Sequence, residues 1–316
     1  MDARTESGPL AGTHPGRAAG GYVASEAALA ALKAHPKFDA AWRPMAHSLV
    51  KEYRGMRLLN GLINDCGRNA VAVLALYLHR AADPDDPRSG LTVSRLKAIC
   101  ADQDIASPGR IEALLMLMRA GGLIRPAPAG GDRRVRRLEP TERLIAILHG
   151  RWNELLEAMT LVLPEAAAVR AAMDDAAFER AMVLRFGSYF LAGFRLLDDP
   201  ETMGMFAERN AGLMVAFTLV TATDPACRAP VAVSISALAR QFSVSRVHIR
   251  KMLRDAVAAG YIAWPDEREA TIVVLPPLYE AVQNFFANGI LFMLHCANEV
   301  FDELPAMRAR AVAQAS

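Results

Sequence analysis

Little in this chain points to a disulfide framework or a zinc site. Its four cysteines, Cys66, Cys100, Cys227 and Cys296, lie far apart and form no CxxC pair, so reduced thiols are the expectation. Aromatic residues are scarce at 7%, whereas Ala, Leu and Met abound within a hydrophobic share of 53%; packed helices rather than large sheets follow. Charge of either sign is not in excess: the formal net charge is +2, which excludes a polycation and leaves any nucleic-acid contact to local patches. Long apolar runs are missing too. The stretch Phe285–Phe301 is interrupted by Asn288, His295, Asn298 and Glu299, and with Ala70–Leu78 and Ala211–Ala222 it reads as buried core or oligomer helix, not as a membrane span. The opening residues are rich in Gly, Pro and Ala and carry no apolar heart of a secretion signal; a disordered tail over 1–22 and a cytoplasmic location are expected. There is no Walker loop, no HExxH and no GxSxG, so no catalytic residue, metal or cofactor is expected and the chain does not read as an enzyme.

What is present is organised around Ser234–Ile262. Ile235, Leu238, Ala239 and Phe242 form one stripe of a short helix behind a Ser234 cap. After a tight corner at Ser243-Val244, Ser245 fits the cap of a second helix, with Ile249, Met252, Leu253, Ala256 and Val257 inward and Gly260 ending it. Outside lie Arg246, His248, Arg250, Lys251 and Arg254; against Asp255 this gives residues 245–255 a net +3 with His248 neutral. An aliphatic buried side and a basic outer side suit a helix entering a major groove. Tyr261–Trp264 and Thr271–Val274 read as strands around the charged turn Pro265–Arg268.

The same pattern occurs earlier. Thr92–Cys100 gives a first helix, and Ser107–Ile124 a second with Pro108 at its first position. Ile124–Pro126 then leads into a hairpin with tip Gly130-Gly131-Asp132 and return strand Arg133–Leu138. Ser107, Ile111, Leu115, Gly122 and Ile124 match Ser245, Ile249, Leu253, Gly260 and Ile262 at one offset of 138 residues. Arg57-Leu58-Leu59 recurs as Arg195-Leu196-Leu197, and Arg68-Asn69-Ala70 as Arg209-Asn210-Ala211. The chain therefore reads as an internal duplication, with units over 23–164 and 165–316. From their apolar stripes the helices Thr141–Leu163 and Pro277–Phe301 are expected to pack with the long helices Phe38–Leu62 and Phe178–Leu197.

The order of long helix, apolar helix, helix-turn-helix, hairpin and long terminal helix resembles the MarR family of bacterial transcriptional regulators. The most specific piece is Asp132-Arg133-Arg134-Val135-Arg136-Arg137-Leu138-Glu139-Pro140-Thr141, similar to that family's Asp-x-Arg wing, strand and Thr-led helix. The resemblance implies that Arg134 reaches a minor groove and that Asp132 steadies it. It covers about 38–163 and again 176–303. Members of that family carry one unit per chain and form homodimers; two units in one chain imply a fused pseudo-dimer.

The expected fold is thus mainly α: tandem winged helix-turn-helix units with small β-hairpin wings, joined by long helices. The expected function is a sequence-specific regulator binding double-stranded DNA. Ser245, Arg246, His248, Arg250 and Lys251 would face one half-site, and Ser107, Gly109 and Arg110 the other. Arg133, Arg134, Arg136 and Arg137 would hold phosphates or the minor groove, with Arg268 at the second wing. The charge is unevenly divided: the first wing, 132–137, carries +3 and the second, 266–269, carries −2. The rival reading is a tandem winged-helix scaffold for protein–protein interaction, favoured by that acidic second wing. A small-molecule effector and a homo-oligomer of whole chains are compatible with either.

Overall fold

A computed structural model describes residues 22–55, 65–83, 85–86, 89–128, 136–196, 203–227, 229–266 and 270–315. Asp132, Arg133, Arg134 and Arg268, and the expected tail up to residue 21, lie outside these residues. The described chain is mainly helical with two small antiparallel sheets. The first half runs α1 (Glu26–Lys33), α2 (Phe38–Gly55), α3 (Asp65–Arg80), α4 (Val93–Asp102), α5 (Pro108–Ala120), β1 (Ile124–Pro126), β2 (Leu138–Pro140) and α6 (Glu142–Met159). The second runs α7 (Ala166–Ala172), α8 (Ala176–Leu191), α9 (Met205–Ala207), α10 (Gly212–Thr221), β3 (Val231–Ala232), α11 (Ile235–Phe242), α12 (Arg246–Ala258), β4 (Ile262–Ala263), β5 (Thr271–Val274), α13 (Pro276–Glu303) and α14 (Pro305–Ala315).

Local chemistry sets the two helix pairs. Thr92, Ser234 and Ser245 each accept a hydrogen bond from the backbone N–H three residues on, at 3.1, 3.2 and 3.0 Å, answering one orphan donor of the helix behind them. Gly122 (φ 66°) and Gly260 (φ 72°) take the left-handed conformation after α5 and α12. There the next residue's N–H reaches back to Met118 and Ala256 at 2.8 and 2.9 Å, the bond that closes a helix C-terminus. Both hairpins follow directly. β1 pairs with β2 through Ile124↔Pro140, Arg125↔Glu139 and Pro126↔Leu138, and β4 with β5 through Ile262↔Val274 and Ala263↔Val273. β3 adds to β5, giving the order β3-β5-β4; in the first half a single bridge, Thr92↔Arg137, stands in that place. Three details differ from expectation. Among the described residues the returning strand of the first hairpin is Leu138–Pro140, running past the expected end at Leu138, and Arg133–Val135 lie outside them. Val257 faces outward at 39% exposure, since Ile249, Met252, Leu253 and Ala256 already fill the buried face of α12. α8 stops at Leu191, where Gly193 turns to φ 98°, and the Arg195 guanidinium donates to the carbonyls of Phe190 and Phe194 at 2.7 and 2.8 Å.

The halves are built around one another. α6 packs on α2 and α13 on α8, as the apolar stripes imply, but α2 also lies on α10 and α8 on α3, so each half's long helix crosses to the other half's apolar helix. α1 covers α13 and α7 covers α6, the same exchange at the outer edge. The packing therefore crosses the expected boundary at 164/165. Each crossing is tied by an arginine at a helix C-terminus, where unpaired carbonyls and the macrodipole favour a cation. Arg43 of α2 donates to Thr221 O and Thr223 O at the end of α10, both at 3.0 Å, and to Tyr279 Oη at 2.9 Å. Arg180 of α8 donates to Arg80 O at the end of α3 at 3.1 Å. Beside it Glu179, only 3% exposed, accepts from His149 Nε2 at 3.0 Å and Arg80 at 3.1 Å.

Two outcomes follow. Trp42 of α2 is fully buried and stacks on Phe286 of α13 at 5.6 Å between ring centres. Trp42→Ala is expected to lower stability by about 3–5 kcal/mol and to shift one common unfolding transition, followed in urea by near- and far-UV circular dichroism. Two separable transitions would show that the halves fold independently. Burial pushes the Glu179 carboxyl up, but the hydrogen bonds from His149 and Arg80 outweigh it and hold the carboxyl below its ordinary value. Its contribution is therefore complete above the ordinary carboxylate range and lost as pH falls through the folded value, which lies below that range. Glu179→Gln should flatten stability against pH in that window, measured by urea unfolding at stepped pH.

Candidate nucleic-acid interface

The second helix pair presents α12 with its aliphatic side inward and Arg246, Val247, Arg250, Lys251 and Arg254 outward. Arg246 and Arg250 stand one turn apart and enter no hydrogen bond or ion pair among the described residues. The other expected contacts are partly committed. The Ser245 hydroxyl is taken by its cap bond. His248 is half-buried, and its Nε2 donates to Asn210 O at 3.0 Å. Lys251 reaches Asp255 at 2.8 Å, and Asp255 also holds Arg209 at 2.6 Å; the hydrogen bonds from Lys251 and Arg209 keep its carboxyl below the usual value.

These bonds anchor α12 from behind. Arg209 and Asn210 belong to the segment entering α10, where Ala211 adopts φ 62°. They grip α12 near its start and at Asp255, so its orientation is tied to α10. Charge counting missed this role. The signal was present as the repeated Arg-Asn-Ala triplet, whose earlier Asn69 takes a hydrogen bond from Arg151.

The first helix pair offers less. Ser107 and Arg110 are exposed, and Ser107 makes no side-chain cap bond. Glu112, where the second half has Arg250, pairs with Lys97 at 2.7 Å, and Met116, where it has Arg254, is 62% exposed. Of the first wing's arginines, Arg136 is exposed. Arg137 is half-buried and donates to Ser89 O at 3.1 Å and Ser89 Oγ at 3.2 Å, holding the hairpin base against the loop before α4. A backbone bridge to Thr92 at the same residue fixes it there.

Between the halves lies a cavity of about 470 Å³. Its walls are mainly rings and aliphatic chains from both halves, among them Trp152 of α6, Phe186 and Phe190 of α8, Phe217 of α10 and Phe292 of α13. Polar groups at its margin satisfy one another: Arg151 pairs with Glu52, and Ser48 donates to Glu154. Both helix pairs touch its lining. Arg195, in the wall, donates to Gln103 Oε1 at 2.7 Å in the α4–α5 turn. Leu213 and Met214, also in the wall, sit on α10 just beyond the segment that grips α12.

Among the described residues no group of His, Cys, Asp and Glu is placed to hold a metal ion, and no helix is long and apolar enough to cross a membrane. Compared with family models, with curated proteins and with solved structures, the chain finds no match.

Proposed function

We propose that this chain is a sequence-specific DNA-binding transcriptional regulator, a fused pseudo-dimer of two winged helix-turn-helix units similar to those of the MarR family. The observation that carries the reading is the outer face of α12. Arg246 and Arg250 extend from a helix whose back is locked by Asp255–Arg209 and His248–Asn210, and the β4–β5 hairpin lies directly behind it in sequence. A rigid helix with two uncommitted guanidinium groups one turn apart suits base edges in a major groove, guanine above all. The exposed Arg136 suits a phosphate at the first hairpin.

The halves would not contribute equally. α12 discriminates bases; α5, with Glu112 paired and Met116 open, positions the chain on the backbone. That same face of α5 is what favours the second reading, a scaffold whose first unit binds protein. The central cavity suits an uncharged, ring-bearing effector, since its lining is mainly apolar and the charged groups at its margin are hydrogen-bonded to the protein. Such a molecule would act by displacing α10 or the Arg195 segment, and with them the spacing of the two reading helices.

Fluorescence anisotropy with random-sequence duplex across a salt series tests the reading. Binding is expected at about 50 mM salt, weakening on the order of tenfold or more at moderate salt. Arg246→Ala or Arg250→Ala should each cost on the order of tenfold on a selected site and relax the preference in one half-site only. Absence of binding to any duplex at low salt would leave the scaffold reading.

A further inference from the structure

Val247 is the second residue of α12 and is 76% exposed, the most open large apolar side chain among the described residues. Neither propensity nor packing accounts for it. A β-branched side chain loses rotamer freedom in a helix, and the buried face of α12 is already filled by Ile249, Met252, Leu253 and Ala256. Residues three and four apart on a helix are neighbours, so Val247 stands beside Arg250 and Lys251 and next to Arg246, all exposed. A lone isopropyl group ringed by cations is a poor seat for an apolar protein surface, which calls for a contiguous patch. It fits a surface that is anionic overall and carries small isolated apolar groups. The major groove of DNA is such a surface, and its one apolar group is the 5-methyl of thymine.

The first half supplies the contrast. At the offset of 138 residues, Arg246, Val247 and Arg250 correspond to Pro108, Gly109 and Glu112. A Cβ added at Gly109 would meet nothing within 4 Å, so space there does not dictate glycine. The first helix pair lacks the apolar probe and both of its flanking guanidiniums together.

We infer that Val247 is a specificity-determining residue that packs against the 5-methyl group of one thymine, beside the bases read by Arg246 and Arg250. The inference rests on the DNA-binding reading above and adds to it a defined base. It is tested with the full chain and a duplex selected from a random pool. Each thymine of that duplex is replaced singly by deoxyuridine, which removes the methyl group alone, and affinity is measured by anisotropy for the native chain and for Val247→Ala. At one thymine, uracil should cost the native chain about three- to fivefold, the worth of one buried methyl, and should cost Val247→Ala nothing. Val247→Ala should itself lose about that factor on the unmodified duplex. Uracil effects that are the same for both proteins at every position would overturn the inference and leave base reading by the arginines intact. A selection that yields no preferred sequence would overturn base reading, and this inference with it.

Discussion

The structure depends on the crossing of its long helices. α2 leaves the first half to lie on α10 of the second, and α8 returns to lie on α3 of the first. Neither crossing is held by apolar contact alone. Arg43 meets the carbonyls that end α10, and Arg180 the carbonyl that ends α3. In each case a guanidinium satisfies acceptors that a helix leaves open and neutralises the negative end of its dipole. The fully buried aromatic rings of α2, α8, α10 and α13, among them Trp42, Phe178, Phe217 and Phe286, then form one core shared by both halves of the chain.

A shared core gives the helix pairs a fixed relation that two beads on a linker would lack. α12 is gripped through Arg209 and Asn210 by the entry to α10, and the α4–α5 turn is reached by Arg195 from the end of α8. Arg195 lines the central cavity, and so do Leu213 and Met214 of the helix that Arg209 and Asn210 lead into. In the proposed function this is how a ligand between the halves would be felt at both reading helices, through elements that pack against one another rather than through a long path.

Much of this was legible in sequence where the causes are local. Ser234, Ser245 and Gly260 announce helix ends because caps and left-handed turns need particular side chains within three or four residues. The offset of 138 residues relates two helix pairs whose caps and hairpins agree for the same reason: spacing inside each helix pair is rigid, and length differences collect in loops. The exchange of α2 and α8 was not legible, since an apolar stripe states that a face is buried and not what buries it. The site was read less well than the fold. Counting arginines placed Arg137 with the phosphate contacts but did not reveal that its Nε and Nη2 also bind Ser89. Outer-face patterning placed His248 among the base readers, yet its ring is bound to Asn210. Whether a polar side chain is uncommitted depends on neighbours distant in sequence. Val247 was passed over because charge drew attention to the residues on either side of it.

The central claim is that one chain supplies two unlike heads to one DNA site, its internal pseudo-dyad replacing a dimer axis. The mass of the complex with a selected duplex tests this most directly, by native mass spectrometry with the duplex in excess. The account predicts one chain per duplex, together with a selected sequence that lacks two-fold symmetry. Two chains bound to a palindromic duplex would contradict it, and would assign the DNA contact to one helix pair from each of two copies.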